Sequence, residues 1–162
     1  MKEISNDWAR STKALNQQLA KSKREMYKIL VQDEFIEYFS DPEQNYGGTD
    51  CEAYKGLAKV FKAQIYRLHT AGFWNRELAH NLSIRFCRME GCATVGYEKI
   101  SDEDLNSLNY EEIVTIYMAE VIHERWGGAF RALFKDPFFL KSLKRLKELL
   151  SQYDNVILQE FF

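Results

Sequence analysis

Residues 7–32 read DWARSTKALNQQLAKSKREMYKILVQ, a stretch without Pro or Gly in which a stripe of side chains recurs at alternating intervals of four and three residues. This spacing predicts one long amphipathic helix. The stripe is narrow, so the helix is either an arm on the body of the protein or a seam for self-association, and the spacing fits both. The stripe consists of Trp8, Thr12, Leu15, Leu19, Ser22, Met26 and Ile29.

The composition extends the helical prediction to the rest of the chain. Of its 162 residues, 46% are hydrophobic and 28% are charged, which is a globular mixture and excludes wholesale disorder. Only 2 Pro and 8 Gly interrupt it, which favours helices over a turn-rich β-sandwich. We therefore expect a single all-α domain over 1–162 with about five or six helices: a long N-terminal helix (1–32), a helical body (52–153) and an apolar tail (154–162) that docks on the body or on a partner.

The first helix of the body is predicted over about residues 52–71. Apolar residues recur there at helical spacing, and Gly72 follows at the position where a glycine commonly ends a helix. The residues predicted to face the core are Leu57, Val60, Phe61, Ile65 and Leu68.

Polar residues are placed to begin the later helices. Asn75 is a predicted N-cap for a helix to about residue 89, Ser101 resembles the start of a capping box, and Asn109 precedes a helix to about Trp126. Asp136-Pro137 starts the last helix. The residues predicted to face inward are Leu78, Leu82, Phe86 and Met89, then Val114, Met118 and Val121, and finally Phe139, Leu143, Leu146 and Leu150.

Charge alternates along the chain in blocks that the net charge of −2 conceals. Successive blocks coincide roughly with the predicted helices, so we expect neighbouring helices to complement one another electrostatically. The blocks carry +4 (1–32), −7 (33–54), +5 (55–92), −7 (93–124), +5 (125–149) and −2 (150–162).

The chain contains no run of 18 apolar residues, and its first 20 residues are polar, which predicts a cytoplasmic protein without a membrane span. Cysteines Cys51, Cys87 and Cys92 are an odd number, which favours reduced thiols over a disulfide framework. A zinc site would need these three with a histidine. Because Cys51 lies far from the other two along the chain, partly buried thiols are the favoured interpretation.

Two Glu-x-x-His steps, Glu77 to His80 and Glu120 to His123, have the spacing that carboxylate-bridged di-iron bundles use. Helical geometry places both histidines opposite the predicted apolar faces, away from the core. We therefore predict no metal and no cofactor, and these four residues are the ligands only if a metal binds.

Two arginines are predicted to lie on apolar helix faces. Arg85 falls between Leu78 and Met89, and Arg125 falls in line with the inward residues of its helix, with Trp126 next to it. A guanidinium in such a place needs a carboxylate, backbone carbonyls or a bound anion. Structural pairing and a small-anion or phosphometabolite site, catalytic or not, both remain open for Arg85, Arg125 and Trp126.

Nucleic-acid binding is possible but not favoured. Basic residues gather at the last helix, but a pI near 6.0 and the absence of helix-turn-helix or zinc-finger spacing count against DNA reading. The chain also lacks the glycine-containing motifs of α/β-hydrolases, P-loop proteins and dinucleotide-binding proteins. The basic residues concerned are Arg131, Lys135, Lys141, Lys144 and Arg145.

From Phe61 to about Leu150 the sequence resembles a prokaryotic domain family of unknown function, built of small helical proteins. The resemblance is carried by Ala71-Gly72-Phe73, Asp104-Leu105-Asn106-Ser107-Leu108, Glu124-Arg125-Trp126 followed by glycine, and Leu143-Lys144-Arg145-Leu146-Lys147-Glu148-Leu149. It implies an all-helical fold, adds weight to Arg125 and implies no activity.

The function that the sequence favours is therefore non-enzymatic. The N-terminal helix and the apolar tail exceed what a minimal helical body needs, which indicates a protein-interaction or self-association module.

Overall fold

A computed structural model of the chain describes residues 2–40, 52–87, 95–122 and 129–161. These residues form eight α-helices, five of them ten residues or longer, and no strand beyond one isolated bridge between Cys87 and Val95. The predicted all-α fold is confirmed. The helices are α1 (Lys2–Leu30), α2 (Asp33–Ser40), α3 (Glu52–Thr70), α4 (Arg76–Arg85), α5 (Asp102–Ser107), α6 (Tyr110–Ile122), α7 (Ala129–Lys135) and α8 (Pro137–Phe161), with a 3-10 helix (Tyr97–Lys99) before α5.

The predicted helix starts are confirmed by their hydrogen bonds. The Leu78 N–H donates to Asn75 Oδ1 at 3.0 Å. At Ser101 the capping box is complete: the Asp104 N–H donates to Ser101 Oγ at 3.1 Å, and Asp104 Oδ2 accepts from the Ser101 N–H at 3.4 Å. Asn109 makes the same reciprocal pair with Glu112, at 2.8 and 3.1 Å. Each cap satisfies backbone groups that a helix end leaves without partners.

Gly72 ends α3 as predicted. Its φ of +84° lies in the left-handed region that glycine adopts without steric cost. The Phe73 N–H then donates to Leu68 O at 3.1 Å and the Gly72 N–H to His69 O at 3.0 Å, which are the two bonds of a Schellman motif. This turn directs the chain from α3 into α4.

Helix α6 lies at the centre of the fold, in contact with α3, α4, α7 and α8. All nine residues from 113 to 121 are buried, so every face of the helix is covered. Phe61 of α3 packs against α6. Its ring meets four aromatic rings edge-on, at centroid distances of 5.3–5.9 Å. Burying an aromatic cluster of this size contributes strongly to stability. The rings around Phe61 are those of Phe35, Tyr117, Phe134 and Phe139.

Two details of the predicted helices are wrong. Val60 was expected in the core but is 50% exposed, because Phe61, Ile65 and Leu68 define a face of α3 that turns Val60 outward. The helix after Asn75 ends at Arg85 rather than near residue 89. It stops there because Phe86 O accepts from the Gly96 N–H and Cys87 then pairs with Val95, so the backbone leaves helical geometry.

The predicted end segments are described in part. The chain from Asp33 continues as a separate helix, α2, and residues 41–51 lie outside the described residues. Helix α8 continues through Phe161, so the backbone of residues 154–161 extends the last helix. Within the described part of the chain, no helix combines the length and apolarity needed to cross a membrane.

Candidate interaction surfaces

Helix α1 is held on the body by its last two turns. Tyr27, Leu30 and Val31 are buried, and the Tyr27 ring meets Tyr110 of α6 edge-on at 5.9 Å. Lys23 Nζ donates to Glu111 Oε1 at 2.9 Å, at the N-terminal end of α6 where an acid is also favoured by the helix dipole. Burial raises the pKa of the Tyr27 hydroxyl, and the charge of Glu111 adds to this.

The predicted stripe of α1 lies beside this buried face, about a quarter of a turn around the helix. Leu15 and Leu19 are 56% and 49% exposed, and Ser22 is also exposed. Towards the body, Met26 and Ile29 are half-buried. The side chains of Trp8 and Thr12 lie outside the described part of the chain. The body therefore leaves Leu15 and Leu19, one turn apart, accessible to another molecule.

The predicted placement of Arg85 on an apolar helix face is wrong, whereas its role as a ligand-binding residue stays a prediction. Its side chain is exposed rather than enclosed by apolar residues, because α4 ends there. Arg85 Nη2 donates to Ser107 Oγ at 3.0 Å, and the guanidinium lies 4.8 Å from the ring centroid of Phe86. These contacts fit a structural role. Arg125 and Trp126 lie outside the described residues, so their position relative to Arg85 stays untested.

The two Glu-x-x-His steps face different environments. Glu77 and His80 are exposed, which confirms the expected outward direction of His80, whereas Glu120 is 3% exposed within α6. His123 lies outside the described residues. Across the described chain, no three His, Cys, Asp or Glu side chains gather as a metal site would require. Among the cysteines, Cys87 is half-buried, and Cys51 and Cys92 also lie outside the description.

Two of the basic residues predicted on the last helix, Lys141 and Arg145, are paired with acids, as is Lys147 of the same helix. Lys141 Nζ lies 3.0 Å from Asp102 Oδ1, and Lys147 pairs with Asp33. These two pairs and the Lys23–Glu111 pair each join a residue of a basic segment to a residue of an acidic segment, as the alternating charge along the sequence predicts. Arg145 pairs with Glu148 at 3.1 Å and donates to Asn106 O at 3.2 Å. Lys135 and Lys144 are exposed, and the side chain of Arg131 is not described.

Two clefts share a wall formed by α5 and α8. One, of about 260 Å³, lies between Tyr97, Asp136 and Phe138, and the other, of about 380 Å³, runs along Lys144 and Glu148. The Lys141–Asp102 pair lines both. The first cleft is lined by three carboxylates, those of Glu98, Asp102 and Asp136, and by one cation, so it does not suit a phosphate. The second is lined by three cations and two carboxylates, so most of its positive charge is neutralised.

Helix α3 carries a basic stripe that the motif search missed. Its members recur at intervals of four, three, four and three residues, which places them on one face. The signal was present in the sequence: residues 53–76 contain five Lys or Arg and no Asp or Glu. The net charges of the longer segments 33–54 and 55–92 concealed this stretch without acids. The stripe consists of Lys55, Lys59, Lys62, Tyr66 and His69.

Comparisons with known proteins found no matching family model, no matching curated protein and no matching solved structure. The resemblance to a prokaryotic helical family therefore stays a prediction.

Proposed function

We propose that this protein is a non-enzymatic interaction module that associates with a second copy of itself through the exposed stripe of α1. The observation that supports the proposal is the exposure of Leu15 and Leu19 on successive turns of a helix that is held on the body further along, through Tyr27 and Leu30. Half-exposed leucines at this spacing lose contact with water when a second helix packs against them.

A second copy is the partner that suits this stripe best. Apolar positions at intervals of four and three residues are those through which two helices pack side by side, and the stripe of one chain complements the same stripe of another. A two-fold arrangement of this kind closes after two copies.

Light scattering across a range of protein concentrations tests the proposal. The wild-type chain should approach twice its mass of 19.1 kDa as the concentration rises. Leu15→Glu with Leu19→Glu should remain at 19.1 kDa, because the contact would bury two unpaired charges. Ala14→Glu with Gln17→Glu adds the same charge at exposed positions on other faces of the same turns and should dimerise as the wild type does. A wild-type chain that stays monomeric at all concentrations would refute the proposal.

A further inference from the structure

Helix α1 carries three cations on the side opposite its leucine stripe. Arg10, Lys13 and Lys21 lie within about 80° of one another around the helix axis, because each residue of an α-helix advances the chain by about 100°. The centre of this arc is about half a turn away from Leu15 and Leu19. These three side chains form the basic face of α1.

The basic face is open to other molecules. Its three side chains are exposed and extend over about 16 Å along the helix axis. Every described side chain from residue 10 to residue 22 is exposed, and α1 is held on the body further along, by Tyr27 and Leu30. A second copy that packs on the leucine stripe would therefore leave the basic face uncovered.

No nearby acid balances the charge of the basic face. Residues 8–24 contain five Lys or Arg and no Asp or Glu. Within the described part of the chain, the three cations of the basic face make no ion pair. Cations on the other long helices are engaged: Lys55 and Lys62 of α3 make contacts. On α8, Lys141 and Lys147 pair with acids. Exposed cations without a local counter-charge attract a polyanion more strongly than paired ones.

The residues around these cations indicate which polyanion fits. Residues 9–22 contain no aromatic ring, so this part of α1 offers no platform on which an unpaired base would stack. Contacts are then limited to phosphates, which a duplex displays on its outside at one charge per about 1.7 Å of its axis. A length of about 16 Å carries roughly ten such charges, so three cations on long side chains meet phosphates in any register.

An anionic membrane fits α1 less well. Binding of a helix in a membrane interface needs buried apolar area together with attraction between its cations and the lipid headgroups. If Leu15 and Leu19 insert, the basic face points away from the headgroups. If the basic face contacts the headgroups, the leucines point into water. A duplex needs the cations alone.

We propose that the basic face of α1 binds the phosphate backbone of a nucleic-acid duplex without sequence preference. Arg10, Lys13 and Lys21 each contact a phosphate, and no base is read. The site is accessible in one copy of the chain and lies opposite the leucine stripe, so it stands or falls separately from self-association.

Fluorescence anisotropy with labelled DNA and RNA duplexes of equal length tests this proposal. Three phosphate contacts predict a slope of log affinity against log salt of about −2.7 on B-form DNA. Lys13→Gln with Lys21→Gln should weaken binding at low salt and leave a slope of about −0.9. Glutamine forms helices about as well as lysine, and circular dichroism checks that α1 is intact. Light scattering should give this variant the same mass as the wild type, because its leucine stripe is unchanged.

Two further variants separate the basic face from overall charge. Lys59→Gln with Lys144→Gln removes two exposed cations from α3 and α8, changes the net charge equally and should bind as the wild type does. Lys13→Arg with Lys21→Arg keeps both charges and should also bind. Binding of either duplex supports the proposal, and the tighter one shows which nucleic acid the basic face prefers. The proposal is overturned if no duplex binds at low salt, if both pairs of glutamine substitutions weaken binding equally, or if single strands or anionic vesicles bind as tightly as the duplex.

Discussion

Lys23 Nζ lies 2.9 Å from Glu111 Oε1 and joins the long first helix to the start of the central one. The same ammonium group lies 5.7 Å from the ring centroid of Tyr27 and 5.9 Å from that of Phe73. The side chains of Lys23 and Glu111 are only partly exposed, at 21% and 39%, so this ion pair is shielded from water more than an ordinary surface ion pair. It fixes α1 on the body while the leucine stripe a quarter of a turn away faces outward.

Reversing one charge of this pair should loosen α1. Lys23→Glu places two carboxylates together and should lower the free energy of unfolding by about 1 kcal/mol. The double exchange Lys23→Glu with Glu111→Lys should recover part of the loss, which urea denaturation can measure. If the double exchange is no more stable than Lys23→Glu alone, the pair does not contribute to the attachment of α1.

Phe61 should be among the most sensitive positions in the core. Its ring meets the four aromatic rings around it, so Phe61→Ala leaves a cavity and should cost about 3–5 kcal/mol. Tyr66→Ala, on the exposed side of the same helix, should change stability by no more than about 0.5 kcal/mol. Equal losses for the two variants in thermal or urea unfolding would contradict the assigned faces of α3.

Substitution of alanine for glycine should change stability in opposite directions at Gly56 and at Gly72. An added Cβ meets no atom within 4 Å at Gly56 or at Gly72, so only backbone conformation separates them. Gly72→Ala should lose about 1–2 kcal/mol, since its φ of +84° is strained for alanine. Gly56→Ala, within the helix, should gain up to about 1 kcal/mol. Stabilisation by Gly72→Ala would contradict the turn that ends α3.

Stability should fall at alkaline pH because of a buried tyrosine. Burial raises the pKa of Tyr117 above its ordinary value of 10.0. Above pH 10 the unfolded chain therefore releases this proton before the folded one, so the free energy of unfolding falls as pH rises. The Tyr117→Phe variant lacks this hydroxyl, so above pH 10 its free energy of unfolding should fall less than that of the wild type. Tyr66→Phe, at an exposed tyrosine, is the control and should follow the wild type.

Local chemistry made much of the fold predictable. Asn75, Ser101 and Asn109 cap helices as expected, because a cap depends only on residues within one turn. Gly72 ends α3 for a similarly local reason. The arrangement of the long helices around α6 depends on contacts between distant segments, which spacing alone does not specify. Complete burial of residues 113–121 is one such result.

The candidate surfaces were predictable to a smaller degree. The spacing of Leu15 and Leu19 identified the stripe, but its exposure required the structure, in which every described side chain from Arg10 to Ser22 is exposed and the buried contacts with the body lie further along, at Tyr27 and Leu30. Arg85 was placed on an apolar face because its helix was expected to continue past residue 86. Pairing of Lys141 with Asp102 likewise required the tertiary contact between α5 and α8.

Amide hydrogen exchange of residues 10–22, measured at low and at high protein concentration, tests self-association through α1 most directly. A dimer formed through Leu15 and Leu19 removes these turns from solvent, so exchange there should slow as concentration rises, whereas the buried residues 113–121 should exchange at the same rate throughout. The Leu15→Glu with Leu19→Glu variant should show no such slowing. Exchange of residues 10–22 that is independent of concentration in the wild-type protein would contradict the account.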